Sequence, residues 1–333
     1  MDVAVLGAGS WGTALAKVLA DRQHRVTLWG RSEAHAQAIE SARHNEKYLP
    51  GAMLGATLHA TSDLRAAVAD KQYIVSVVPS HTTRHVLGEA STSMHPDAIV
   101  VSASKGIENE TLDTMDDVMK AVLPGRIGSR LAFLSGPSFA KEVGKGLPTA
   151  VVMGSRDRVV AESAAELFRG ERFRVYTSDD VVGVELGGAL KNVMAIAAGI
   201  IDGLGLGHNT RAALITRGLA EITRIAVRRG ANPLTLAGLA GMGDLILTCT
   251  GDLSRNRTVG IGLGQGKTLA EVLSGMSQVA EGVKTTKSAY DLSHKVDVEM
   301  PITEAVYQVL YENRLAKDAV PALMGRAPKH ELA

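Results

Sequence analysis

The feature that most constrains this chain lies at its start. A β-branched run, Val3–Leu6, passes into Gly7-Ala8-Gly9-Ser10-Trp11-Gly12, and a stretch of helical spacing, Thr13–Ala20, follows at once. The string fits G-x-G-x-x-G, and its flanks supply the strand before and the helix after that give such a string its meaning. Gly7 permits the tight turn, Gly9 lets a pyrophosphate approach the backbone, and Gly12 lets helix and strand pack closely. The free N–H groups and dipole at the helix start then favour an anion. A purely structural glycine turn is the competing reading, and both flanks weigh against it. The N-terminal half is therefore expected to build a dinucleotide-binding, Rossmann-like sheet.

The pattern downstream agrees. Short β-branched runs recur at Arg25–Trp29, Tyr73–Val78, Ile99–Ser102, Leu131–Leu134 and Thr149–Met153, with helical stretches such as Gly12–Asp21 and Asp63–Ala69 between them. Strands alternating with helices imply a parallel sheet covered on both faces. From about Val181 the chain changes to long Ala/Leu/Val/Gly segments of helical spacing: Val182–Ile201, Arg211–Arg229, Thr268–Ser274, Val283–Ser293 and Thr303–Tyr311. With 333 residues the chain exceeds the ~250–300 at which one core stops growing. The expected class is α/β, with a Rossmann-like domain of mostly parallel sheet over residues 1–185 and an all-α substrate domain over 186–333. Aromatics are only 4% of the chain, so Ala, Val, Leu and Ile must fill both cores.

Several function classes are excluded early. Lysine plus arginine number 36 against 35 carboxylates, and a net charge of +1 gives no global attraction for a nucleic-acid backbone. A local anion site stays open. Cys249 is alone, which rules out an intramolecular disulfide and a cysteine-based metal cluster and fits a reducing cytoplasm. Asp2 follows Met1 with no apolar leader, so no secretory signal is expected. Leu186–Ile201 is the most apolar long run, but it carries Lys191 and three glycines, so it reads as a buried helix and stable membrane insertion is not expected. The histidines show no metal-ligand spacing, and no metal is expected. Gly260–Thr268 imitates a phosphate loop, but G-x-x-x-x-G-K-[ST] requires glycine where Ile261 stands, and no strand precedes it. Ser138 lacks a nucleophile-elbow context, and Cys249 reads as a small buried hydrophobe.

Cofactor choice is read at the end of the second strand, in Trp29-Gly30-Arg31-Ser32. No carboxylate stands there to take a ribose 2′-hydroxyl, while Arg31 is a planar cation suited to a 2′-phosphate and to stacking on adenine. This favours NADP(H), with NAD(H) as a second cofactor; a solvated loop arginine is the alternative. Lys191 is the one charged residue between Leu186 and Ile201. Such surroundings lower a lysine pKa and suit a general acid/base, although a lysine snorkelling out of a buried helix would give the same pattern. Asn192 beside it could orient a ligand. Ser104-Lys105-Gly106 and Ser135-Gly136-Pro137-Ser138 each follow a strand, where ligands bind in open α/β sheets; the second could offer N–H and O–H groups to a substrate or simply form a turn. Gly241-Met242-Gly243-Asp244 and Ser254-Arg255-Asn256-Arg257 form a third group, in which Arg255 with Asn256 suits a phosphate. Asp244 could hold a lysine ammonium or a substrate hydroxyl, and Thr248 would share its face if the stretch is helical. A solvated polar loop is the plainer reading of this last group.

These strings in this order resemble the bacterial NAD(P)-dependent glycerol-3-phosphate dehydrogenases. The resemblance also rests on Asn45-Glu46-Lys47-Tyr48-Leu49-Pro50, the run Glu185–Asn192 and Val279-Ala280-Glu281-Gly282-Val283, and it extends to about residue 325. It implies a two-domain enzyme with its site between the domains. The implied reaction is reversible reduction of dihydroxyacetone phosphate to sn-glycerol 3-phosphate, the backbone precursor of phospholipids. It further implies Lys191 as proton acceptor and donor, and Lys105, Gly136, Ser138, Asn192, Asp244, Ser254, Arg255 and Asn256 on the substrate side. Ser10, Trp11, Arg31, Tyr48, Lys105, Ala140, Arg255, Val279 and Glu281 would line the cofactor site. Two rivals are a related dehydrogenase of hydroxy or sugar acids and a non-catalytic nicotinamide sensor. The Arg255–Asn256 pair favours a phosphorylated substrate, and the joint presence of Lys191, Lys105 and Asp244 argues against a sensor. A homodimer is the default for a soluble enzyme of this size.

Overall fold

Hydrophobic, β-branched strands that are buried on both faces belong in a parallel sheet covered by helices, and the computed structural model has one. It describes residues 1–276, 280–328 and 330–331. Among these, the strands are β1 (Asp2–Leu6), β2 (Arg25–Trp29), β3 (His44–Asn45), β4 (Leu49–Met53), β5 (Leu58–Thr61), β6 (Tyr73–Ser76), β7 (Ile99–Ser102), β8 (Leu131–Ser135), β9 (Thr149–Gly154) and β10 (Phe173–Ser178). Eight of them form one sheet in the order β10-β9-β8-β7-β6-β1-β2-β5, with β3 and β4 paired apart as a small hairpin. Neighbours in the large sheet run parallel except β8 and β9, which are antiparallel. Every residue of β6, β7 and β8 is buried.

The sheet is longer than the sequence reading made it. β5 and β10 were not anticipated, and both are edge strands. β10 alternates buried with exposed residues and β5 carries an exposed histidine, so neither shows the continuous apolar run of a central strand. The strand begun at Tyr73 stops at Ser76, two residues before the expected Val78, as the chain turns toward Pro79.

Helices cover both faces. α1 (Ser10–Asp21) leaves the glycine turn with no side-chain cap, and α2 (Glu33–Ala42) follows β2, capped by Ser32, whose hydroxyl accepts from the His35 N–H at 3.3 Å. Beyond β10 the described chain is helical. Its axis is a 23-residue helix, Val181–Gly203, hereafter the central helix, started by Asp180, which accepts from Gly183 N at 2.9 Å. It is long and apolar enough to cross a membrane by length and composition, but 94% of its most apolar window is buried inside the protein, as a core helix must be.

The helix Arg255–Gly264 crosses the central helix with almost no side chain between them. A Cβ on Gly260 would lie 2.0 Å from the Ile196 carbonyl oxygen, and one on Gly199 would lie 2.1 Å from that of Arg257. One turn on, Gly264 and Gly203 meet in the same way. Gly260 and Gly264 of the imitation phosphate loop are thus helix spacers within a helix, and Gly266 lies in the turn just beyond its end.

Candidate active site

Each fingerprint glycine has a distinct local reason. Gly7 sits at φ +119°, and a Cβ there would lie 2.9 Å from the Val77 carbonyl oxygen. A Cβ on Gly12 would lie 1.8 Å from the Gly7 oxygen, so this glycine lets α1 close onto the turn. Around Gly9 the space is open, with nothing within 4 Å of a Cβ. Thr13 N bonds to Gly9 O at 2.9 Å, so the amides of Ser10, Trp11 and Gly12 begin the helix without an intrahelical acceptor. An open approach at Gly9 and a helix start with no side-chain cap fit a dinucleotide pyrophosphate. Ser10 closes one flank by donating its hydroxyl to Tyr48 O at 2.6 Å. Trp11 and Ala140 are partly buried against the same core. Arg31 is exposed directly beyond β2.

The chemistry-bearing side chains meet where the central helix crosses the strand ends. Gly187 and Lys191 are one helical turn apart, so they share a face. A Cβ on Gly187 would lie 2.6 Å from Ala240 O, which belongs to a π-helical turn, Leu239–Gly243. The bare glycine lets that turn press against the central helix. The turn opens the short helix Asp244–Thr250 at Asp244, which brings Asp244 Oδ1 to 2.5 Å from Lys191 Nζ. Gly188 faces the sheet, where a Cβ would lie 2.5 Å from Ser135 Oγ and 3.7 Å from Lys105 Cδ. Lys105, beyond β7, reaches across to Asp244 Oδ2 at 2.5 Å and to Gly136 O at 3.3 Å. Gly106 behind it is at φ +153° and leaves no room for a Cβ against Ser80.

Two ammonium groups therefore share one carboxylate that is 1% exposed. Burial pushes the Lys191 ammonium down to about 8; Asp244 pulls it back up, and repulsion from Lys105 adds to the fall. Burial works to raise the Asp244 carboxyl, but Lys105 and then Lys191 outweigh it and hold the group below the ordinary carboxylate value. Lys191 also donates to Thr248 Oγ1 at 2.8 Å, and that hydroxyl donates to Asp244 O at 2.6 Å. Two cations against one anion leave a local positive excess, suited to an incoming anion or to charge developing on an oxygen. The side chain of Lys191 does not snorkel; it ends inside the cluster.

The remaining candidates group around this pair. Ser138 Oγ donates to Gly136 O at 2.9 Å. Asn256 Nδ2 donates to Asn192 Oδ1 at 2.9 Å, and Asn256 Oδ1 accepts from Gly282 N at 2.9 Å, which leaves Nδ2 a second N–H. Ser254 caps the helix that starts with Arg255, accepting from Arg257 N at 3.3 Å. Burial pushes the Glu281 carboxyl up, while Arg255, Lys105 and Lys191 draw it down, which places Glu281 in the same electrostatic cluster. Val279 lies outside the described residues. The structure brings Lys105, Gly136, Asp244 and Lys191 into direct contact and ties Asn192 to Asn256. Tyr48 meets the glycine turn, while no hydrogen bond links Arg31 to the cluster among the described residues. Cys249 is fully buried and its thiol is pushed up to about 12, as an inert core residue's would be. Sequence reasoning missed Asn45 as an individual residue, since its partners come together only in the folded hairpin.

Comparison with known proteins bears on this arrangement. The family profile described as NAD-dependent glycerol-3-phosphate dehydrogenase N-terminus matches residues 2–161, and its C-terminus counterpart matches residues 180–321. A glycerol-3-phosphate dehydrogenase (NAD(P)+) of Geobacter sulfurreducens is 56% identical over 329 residues, covering 99% of this chain and 98% of the relative. One from Anaeromyxobacter dehalogenans is 54% identical and is covered in full, as is this chain. A crystal structure of glycerol-3-phosphate dehydrogenase from Coxiella burnetii superposes with a TM-score of 0.94 at 40% identity, covering 98% of this chain and 99% of that one.

Proposed function

The chain belongs to the NAD-dependent glycerol-3-phosphate dehydrogenase family, and from that membership we propose that it reversibly reduces dihydroxyacetone phosphate to sn-glycerol 3-phosphate with NAD(P)H. The observation that carries the reading is the buried Asp244 carboxylate holding two ammonium groups, Lys105 and Lys191, at the strand ends of the sheet that carries the glycine turn. The nicotinamide cofactor, when bound, supplies or accepts the hydride.

The protein's own groups do the rest. In reduction the Lys191 ammonium faces the carbonyl oxygen, stabilises the negative charge that grows there and donates the proton. In oxidation the neutral amine takes the hydroxyl proton, and a value near 8 makes both forms accessible. Asp244 fixes the ammonium in place and Thr248 restricts its direction. Arg255, with Asn192, Ser254 and Asn256, anchors the phosphate of the substrate, and Lys105, Gly136 and Ser138 hold its polar end. Binding at the non-reacting phosphate helps to orient the reacting carbon. Gly7, Gly9, Ser10, Trp11, Gly12, Tyr48, Ala140, Val279 and Glu281 hold the cofactor, and Lys105 and Arg255 stand where the two ligands meet.

Arg31 favours NADP(H) over NAD(H), because its exposed guanidinium follows β2 where no carboxylate awaits a 2′-hydroxyl. Residues 1–185 carry most of the cofactor contacts and 186–333 carry Lys191 and the phosphate clamp, while Lys105, Gly136 and Ser138 from the first part and Arg255, Val279 and Glu281 from the second reach across the boundary. The protein acts in the cytoplasm as a homodimer and supplies the phospholipid backbone. Following nicotinamide absorbance with dihydroxyacetone phosphate, in parallel with NADPH and NADH, tests this. Oxidation is expected with the phosphate ester and not with dihydroxyacetone, faster with NADPH at limiting cofactor. Binding of both cofactors with no turnover of the ester would overturn the substrate assignment.

A further inference from the structure

Asn45 is 1% exposed and uses its whole hydrogen-bonding capacity. Its Nδ2 donates to Ala8 O at 3.0 Å and to Thr13 Oγ1 at 2.8 Å. With both N–H groups committed, Oδ1 can only accept, and it takes His35 Nε2 at 3.0 Å and Tyr48 N at 3.3 Å. That assignment fixes the tautomer of His35, with the proton on Nε2. The His35 ring also meets the Tyr48 ring edge-on, with centroids 5.2 Å apart.

These four partners come from four different pieces of chain. Ala8 belongs to the glycine turn and Thr13 to the first turn of α1. His35 belongs to the first turn of α2, four residues beyond Arg31, and Tyr48 to the β3–β4 hairpin, whose carbonyl holds Ser10. Asn45 is thus a side chain that bonds both the pyrophosphate end and the adenosine end of the proposed cofactor track. We propose that Asn45 is a positioning residue for the dinucleotide: it sets the tilt of the Ser10–Gly12 amides relative to the start of α2, so that one ligand meets both. The inference rests on the reading of the glycine turn as the cofactor site. Asn45 touches neither ligand itself and acts through the backbone that does.

The geometry separates this role from simple support of the hairpin. Asn45→Asp keeps the shape but turns carboxylate oxygens toward Ala8 O and Thr13 Oγ1. The dissociation constants of NADPH and NADH, measured by titration calorimetry, are expected to rise about tenfold or more, as when a buried acceptor loses its donor. Turnover at saturating cofactor should stay close to that of the unaltered enzyme, so KM for the cofactor moves and kcat does not. A lowered Tm with unchanged cofactor affinity would overturn the proposal. Should Asn45→Asp not fold, His35→Ala carries the test from the other side: it removes one bond to Oδ1, and a several-fold loss of cofactor affinity is expected. His35→Gln, which keeps a donor, should restore it. Unchanged affinity in His35→Ala would likewise overturn the proposal. If the unaltered enzyme binds neither NADPH nor NADH, the cofactor reading itself has failed.

Discussion

Two glycine-rich stretches, Gly7–Gly12 and Gly260–Gly264, look alike in the chain and do opposite work in the fold. In the first, one glycine is surrounded by open space and another takes a backbone angle that other residues rarely adopt. In the second, Gly260 and Gly264 sit inside a regular helix, and the missing side chains are replaced by the carbonyls of a neighbouring helix. The first stretch leaves room for a ligand; the second removes all room between two parts of the protein. What a glycine does is therefore decided by what an added methyl group would meet.

That contrast can be broken by substitution. The largest effect is expected at the crossing. Gly260→Val should lose about 3 kcal/mol or more of stability, the upper end of overpacking costs, because backbone lies on both sides and cannot yield; a urea melt measures it, and a melt like that of the unaltered protein would break the comparison. Gly9→Ala should leave that melt within about 0.5 kcal/mol while weakening cofactor binding about 10–100-fold, some 1.4–2.8 kcal/mol. Equal binding would mean the open space is not where a pyrophosphate comes to rest.

A third test sharpens the contrast by pH. The glycine turn offers backbone amides, which do not titrate, whereas Lys191 does. Burial lowers the lysine, so its base form is complete above about 8 and is lost as pH falls through that value. Oxidation of glycerol 3-phosphate should drop about tenfold per pH unit below it, and reduction should fall as pH rises above it. Cofactor affinity should stay nearly flat between these conditions. A flat rate profile would remove Lys191 from proton transfer. The smallest effect is expected at Gly188→Ala, where the obstruction is the Ser135 hydroxyl and the flexible Lys105 chain. A several-fold rise in substrate KM with little loss of stability is expected, since a side chain can move where a carbonyl cannot.

The same contrast explains what could be read from the sequence. The glycine turn was legible because strand, turn and helix are contiguous and Gly12 packs onto Gly7 five residues back, although Gly7 itself is also held by Val77, 70 positions on. The central strands were legible for the same reason, as buried runs of one composition. β5 and β10 were not, because edge strands that are half polar look like loops until a neighbour pairs with them. The Lys105–Asp244–Lys191 cluster lies further out of reach. Lys105 and Asp244 are 139 positions apart, and Lys191 and Asp244 are 53 apart. From its own segment Lys191 could equally have been a snorkelling lysine, and Asp244 could hold a lysine ammonium without saying which; only the resemblance drew these positions into one site. Thr248 could be placed on the Asp244 face once a helix was assumed, but its bond to Lys191 depends on how the π-helical turn rests on Gly187.

The glycine crossing has a mechanical consequence. Gly199 lies two turns beyond Lys191 on the same helix, about 12 Å along its axis. Backbone packed on backbone has no rotamers with which to absorb a push, so the contact works as a fulcrum and the helix as the arm. A tilt of about five degrees there swings the ammonium by about 1 Å, enough to cost about a hundredfold in rate. Substitutions at the crossing too mild to unfold the protein should then show first as lost turnover, far from any atom that reacts.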